Sequence, residues 1–261
     1  VFTYKPPEFN DGPILIVCHD IYRDAEATRA YVIALADRFQ AIVAAPRFEA
    51  GRFDYDRYQL GVLFRNGLFQ EREQWTYGIV HRLVAIIRSR EGRSSLPFYL
   101  LGHSAGGQFL ERMAAFDSGS ARRIVVANPG IHLFPTKDLP FGYGFGGLPD
   151  HLSDKEIMQA YLAAPLTLCL GTDDTEVDEY LDLSPPAMTQ GLNRLERGRT
   201  CYEQAQILAA KRNWNCNWRL VEVAGVGHSA VWMFATDAVA QALFKPAPTT
   251  PAVAGAQVAG D

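Results

Sequence analysis

Short runs of wholly apolar residues recur along the chain, separated by stretches with helical spacing. The runs are ILIVC (14–18), AIVAA (41–45), PFYLL (97–101), RIVVAN (123–128), PLTLCL (165–170) and WRLVEV (218–223). Several are apolar throughout rather than alternating, the pattern of strands covered on both faces. Helical spacing is read over 25–39, where Tyr31, Leu35 and Phe39 recur every four residues. It is read again over 73–90, where Trp75, Ile79, Leu83, Ile86 and Ile87 form one stripe, and over 105–116, 198–212 and 231–244. Strand alternating with helix calls for a mostly parallel central sheet with helices on both faces, so the fold class is α/β. In such sheets ligands bind beyond the carboxyl ends of the strands. Reactive groups placed just after a strand are therefore the candidates.

Composition sets the remaining bounds. The 261 residues are 48% hydrophobic and 21% charged, enough apolar material for one sizeable core, and no linker interrupts the middle. One domain is expected over 1–245, followed by a low-complexity tail, PAPTTPAVAGAQVAGD (246–261), too poor in large apolar residues to bury much. A net charge of −4 without a basic stripe excludes nucleic acid as a main partner. No apolar run approaches membrane-spanning length, so a soluble protein is expected. Its oligomeric state is left open. Val1 is preceded by no charged and apolar leader, and secretion after removal of one remains open. Four free thiols are expected: Cys18 and Cys169 lie in strand runs, whereas Cys201 and Cys216 bracket a helix whose rise of about 1.5 Å per residue holds them apart.

The stretch YLLGHSAGGQFL (99–110) carries the strongest chemical signal. Gly102-His103-Ser104-Ala105-Gly106 stands directly after a strand run and before a helical one, the context of a nucleophile on a tight strand-to-helix turn. Small neighbours are needed there because two backbone segments approach closely. The helix N-terminus favours a developing anion, and the N–H of Ala105 is a candidate oxyanion donor. A serine hydroxyl needs a base and the base an orienting acid. His228, in VAGVGHSA, follows the strand run ending at Val223; LGTDDTEVDEY follows the run 165–170. Asp174 is the preferred acid, with Asp173 its rival. The further acids of that loop lack the spacing of a calcium site. A second oxyanion donor is expected from VCHDIYRDA: the N–H of Ile21, with Tyr22 as a neighbouring wall and His19 as a buried loop-stabilising residue.

With these motifs in place, the chain resembles the α/β-hydrolase superfamily, and within it the bacterial esterases of the polyhydroxybutyrate-depolymerase type. TYKPPEFNDGPILIVCHDIYRDA, GHSAGGQF, ANPGIHLFP, LGTDDT and VAGVGHS carry the resemblance across 2–245. It implies a carboxylic-ester hydrolase with a Ser-His-Asp triad and an acyl-enzyme, acting on short acyl esters or on a polyhydroxyalkanoate-like polyester. By the same analogy His103, Ile131, His132 and Tyr22 line the cleft. Such enzymes usually read His-Gly at the oxyanion turn, where this chain reads His19-Asp20. Val1–Tyr4 is the one segment left to supply an antiparallel strand before the first long run.

The segment 129–155 occupies the place of a lid but is too short for a large cap domain, so an open cleft is expected. GYGFGG within it lacks the strand–helix context of a dinucleotide site and reads as an adaptable loop. His81 and His151 have no metal-ligand spacing, and no metal or cofactor is implied. A serine peptidase or amidase with the same triad is the nearest alternative; a non-catalytic binding protein, suggested by Asp20, is another. A dehalogenase is disfavoured because it needs a carboxylate where Ser104 stands.

Overall fold

The computed structural model describes residues 1–245, so the tail read over 246–261 lies outside the described residues. In chain order the strands are β1 (Phe2–Tyr4), β2 (Ile14–Cys18), β3 (Ile42–Ala45), β4 (Phe64–Arg65), β5 (Leu68–Phe69), β6 (Phe98–His103), β7 (Arg123–Ala127), β8 (Leu166–Gly171) and β9 (Arg219–Val223). β4 and β5 form a small hairpin of their own. The other seven make one sheet in the order β1-β3-β2-β6-β7-β8-β9. It is parallel throughout except for β1, which pairs antiparallel with β3, Phe2 opposite Ala45. The short N-terminal strand thus takes the edge position left for it.

Alternate residues of each strand feed two cores. Ile14, Ile16, Phe98, Leu100, Ile124, Val126, Leu166 and Leu168 pack on one face. Leu15, Val17, Val43, Leu101, Val125 and Cys169 pack on the other. Both faces being covered explains why the runs are apolar without alternation. The helices are α1 (Ala25–Tyr31), α2 (Ile33–Phe39), α3 (Tyr55–Tyr58), α4 (Gly78–Arg90), α5 (Ala105–Phe116), α6 (Asp150–Ser153), α7 (Lys155–Ala163), α8 (Pro185–Met188), α9 (Arg194–Arg212), α10 (Ala230–Phe234) and α11 (Asp237–Phe244). No helix among the described residues is long and apolar enough to cross a membrane. All four cysteines are free, and all but Cys216 are buried.

The helical readings need local correction. The segment 25–39 breaks at Val32, whose backbone (φ −110°, ψ 8°) leaves the helix while its side chain is fully buried. The segment 231–244 breaks at Thr236, whose hydroxyl caps α11 through the Val239 N–H. α4 begins only at Gly78, so Trp75 packs from the preceding turn with its indole N–H on the Gln70 carbonyl. The buried face is consequently Val80, Val84 and Ile87, and Ile86 points to solvent. GYGFGG, expected to be adaptable, is a fixed turn: Phe145 is fully buried and Phe141 N–H bonds the Gly146 carbonyl.

Contacts from two directions fix the carboxyl end of β2. His19 is buried; its Nε2 accepts the Phe48 N–H (3.0 Å), so Nδ1 carries the proton and donates to the Asp20 carbonyl (2.8 Å). Tyr58 adds its hydroxyl on the His19 carbonyl (2.6 Å). Desolvation, above all, depresses the imidazole to about 4. The first turn of α5 presses on the same strand end: a Cβ on Gly106 would stand 2.4 Å from the Cys18 carbonyl oxygen and 2.6 Å from that of His19. Gly106→Ala is therefore expected to lower stability by about 1–3 kcal/mol in urea unfolding.

His19 gives a second expectation. Its folded pKa lies below the unfolded value, so its contribution is complete above about pH 6.5 and is lost as the pH falls toward 4, where the unfolded chain takes a proton that the fold refuses. Denaturation midpoints should fall between pH 7 and pH 4.5, by at most about 3 kcal/mol from this group, and His19→Asn should weaken that dependence.

Candidate active site

Ser104 stands between the last residue of β6 and the first of α5, with φ 52° and ψ −116°. Such a backbone costs a non-glycine residue about 1–3 kcal/mol and persists only where neighbours over-determine it. Here the Ser104 N–H donates to the Ala127 carbonyl of β7 (2.9 Å), and its own carbonyl accepts the Gln108 N–H (2.9 Å). Gly102 makes room, because a Cβ there would lie 2.5 Å from the backbone of Gly106. The turn thereby directs the hydroxyl above the carboxyl edge of the sheet.

Two loops from that edge meet it. Asp174, in the turn after β8, places Oδ2 2.8 Å from His228 Nδ1, and His228 Nε2 is 3.1 Å from Ser104 Oγ. Asp174 is buried, whereas Asp173 is exposed and engaged with the Thr172 hydroxyl. The geometry thus brings Asp174, not its neighbour, to the imidazole. Asn128, just past β7, ties the loops together: its Oδ1 accepts the Gly171 N–H (2.8 Å) and its Nδ2 donates to the Gly227 carbonyl (3.1 Å). Arg194, buried at the start of α9, bonds Asp178 (2.8 Å) and stands 3.6 Å from the second oxygen of Asp174. Neither residue was singled out from the sequence, since each acts through partners more than 15 positions away or across a strand. An Asn closing the strand run 123–128 was the one available signal.

Around this chain of hydrogen bonds, the Ile21 and Ala105 N–H groups have no acceptor among the described residues. Asp20, the departure from His-Gly, accepts the Tyr22 N–H at 2.9 Å in a tight turn that leaves the Ile21 N–H free. Burial pushes its carboxyl up, while His228 pulls it down. His103, only 2% exposed, lies with its ring 4.7 Å from that of His228 and has no hydrogen-bond partner on either nitrogen. Desolvation, reinforced by His228 and Arg194, holds it well below the ordinary histidine range, so it is neutral.

Two adjoining cavities share Ser104, Ile21, Glu179 and Tyr180. One, of about 440 Å³, is bordered also by Ala105, Gln108, Ile131 and Tyr143. The other, of about 470 Å³, is bordered also by His228, His103, Asp20 and Tyr22. Tyr22, His103 and Ile131 therefore reach the cleft. His132 does not: it is fully buried behind α5, with Nδ1 donating to Glu111 (3.0 Å) and its backbone bonded to Gln190. The hydrogen bond to Glu111 inside the core holds it inward. Among the described residues, Glu111, His132 and Cys201 are the group with metal-ligand proximity. Glu111 Oε1 already accepts from His132 and Tyr161, which makes the group an internal hydrogen-bond hub. Arg197, also buried, donates to the carbonyls of Gly191, Gly130 and Asp182 and so fastens the loops flooring the first cavity.

No protein-family model matches the chain, and no curated protein does. Solved structures do. A poly(3-hydroxybutyrate) depolymerase from Bordetella parapertussis is 32% identical with a TM-score of 0.84, over 90% of this chain and 80% of that one. Poly(aspartic acid) hydrolase-1 from Sphingomonas sp. KT-1 is 31% identical, also at 0.84, over 88% of each. An S-formylglutathione hydrolase of Staphylococcus aureus, at 12% identity and 0.55 over 92% of this chain and 89% of that one, shares the fold. The parallel sheet, the strained serine between β6 and α5 and the two relatives above 30% identity lead to one assignment. The chain belongs to the α/β-hydrolase superfamily, and within it to the polyhydroxybutyrate-depolymerase-type esterases, enzymes that hydrolyse carboxylic esters.

Proposed function

We propose that the protein is a serine esterase in which Ser104 is the nucleophile, His228 the base and Asp174 the acid. The observation that carries this reading is the continuous hydrogen-bond path Asp174–His228–Ser104, at 2.8 and 3.1 Å, beneath a strained serine. Ser104 Oγ forms the bond to the ester carbonyl carbon as its proton passes to His228 Nε2. Negative charge then builds on the carbonyl oxygen, where the free N–H groups of Ile21 and Ala105 receive it without reorganisation. The C–O bond to the alcohol breaks, and His228 returns the proton to the leaving oxygen. Water, deprotonated by the same imidazole, attacks the acyl-serine, and the carboxylic acid departs as Ser104 regains its proton. Asp174 keeps Nδ1–H toward itself throughout, which fixes the ring and balances the imidazolium.

These steps assign the two cavities. The leaving group must lie on the side of His228, so the acyl group takes the cavity bordered by Ala105, Gln108, Ile131 and Tyr143. Its wall mixes apolar with hydrogen-bonding groups, which suits a short acyl group bearing a polar substituent. A polyhydroxyalkanoate-like ester has that character, and the relative from Bordetella is named for poly(3-hydroxybutyrate). The cavity openings at the sheet edge leave room for either a small ester or the end of a polymer chain.

Hydrolysis of p-nitrophenyl butyrate by wild type and Ser104→Ala tests the reading. The variant is expected to lose at least about a hundredfold in kcat with unchanged circular dichroism. Equal rates from two folded proteins would reject it.

A further inference from the structure

Resting on the esterase reading, we propose that the leaving-group side of the cleft selects esters whose alcohol carries a positive charge, and that Asp20, Glu176 and Glu179 set this preference. The cavity bordered by His228 and Ser104 is about 470 Å³, and every formally charged side chain assigned to its wall, apart from His228 when it is protonated, is a carboxylate: Asp20, Glu176, Asp178 and Glu179. No lysine or arginine borders it. Asp178 is neutralised by Arg194 at 2.8 Å. The other three have no ion pair among the described residues.

The nearby cations are committed elsewhere. Arg194 lies between Asp174 and Asp178, and Arg23 stacks over the Tyr58 ring (4.6 Å) with a hydrogen bond to the Phe48 carbonyl. Asp24 adds a further negative charge beside Asp20. His103, in the same wall and 2% exposed, has two unpartnered ring nitrogens and is held neutral by burial, so it offsets none of the acidity. Beside the carboxylates, in the same wall, Tyr22 and Tyr180 meet edge to face, ring centroids 5.8 Å apart, and both are exposed. Aromatic faces beside unpaired carboxylates are what an ammonium group seeks: ring quadrupole and carboxylate both attract it, and neither demands a directed hydrogen bond. An anionic alcohol would meet only repulsion there. The acyl-side cavity is less acidic: its wall holds two carboxylates, Glu179 and Asp182, together with Arg194, against four carboxylates and no arginine on the leaving-group side.

Three isosteric esters decide the matter at pH 8 and low salt: butyrylcholine, the neutral 3,3-dimethylbutyl butyrate and the anionic 2-sulfoethyl butyrate. The expected order of kcat/KM runs from cation through neutral ester to anion, with about tenfold or more between cation and neutral isostere, shrinking in about 0.5 M NaCl. Glu176→Gln with Glu179→Gln, both at exposed positions, should bring the ratio toward one. Asp20→Asn, which retains an acceptor for the Tyr22 N–H, should lower it as well. Glu203→Gln, exposed on α9, controls for net charge and should leave the ratio in place. Equal efficiency for the three esters, or a ratio that these substitutions do not move, overturns the charge preference and leaves the esterase reading standing. Full activity of Ser104→Ala on the neutral ester overturns both.

Discussion

The structure turns on how closely α5 approaches the sheet. Its first turn lies against the ends of β2 and β6 at a distance that only glycine permits at 102 and 106. That approach holds Ser104 at φ 52°, and the bond from its N–H to Ala127 locks β7 into the same arrangement. One contact thus settles where the Ser104 hydroxyl points, where the helix N-terminus aims its positive end, and how the β2 loop carrying Ile21 is seated. His19 secures that loop from below. The strain at one residue is spread over three strands and a helix, which is why the turn remains ordered without glycine at its apex.

Buried charge does for the loops what the glycines do for the elbow. Arg197 takes no carboxylate partner but three carbonyls from three separate segments. Arg112, 3.8 Å from the Glu111 carboxylate, also donates to the carbonyls of Gln108 and Gly142. A guanidinium is weakly hydrated for a cation and presents its donors in a rigid fork, so it satisfies irregular backbone that would otherwise be buried unpaired. The walls of the cleft are consequently set before substrate arrives, and binding carries little cost in ordering them.

Much of this was legible in the sequence because it depends on local pattern. Both-face burial writes itself as unbroken apolar runs, and the elbow writes itself as small residues around one serine. Helix α5 begins and ends where its spacing predicts, at 105 and 116. What stayed hidden depends on partners distant in the chain. Nothing near Val32 announces a break, since the break follows from burying that side chain against the sheet. The shift of the α4 stripe from Ile79, Leu83 and Ile86 to Val80 and Val84, with Ile87 kept, follows from a turn around Trp75 that precedes the helix. His132 was placed in the cleft by analogy with related esterases; its hydrogen bond to Glu111, 21 positions earlier on α5, turns it into the core instead. Arg194 was silent for the same reason.

The order of the parts along the chain has a consequence for biosynthesis. Everything through the turn after β8 supplies Ser104, Asp174 and both free N–H groups, but the His228 imidazole arrives only with the loop after β9, the outermost strand of the sheet. The last strand of the sheet to be made is therefore the one whose following loop completes the hydrogen-bond path Asp174–His228–Ser104.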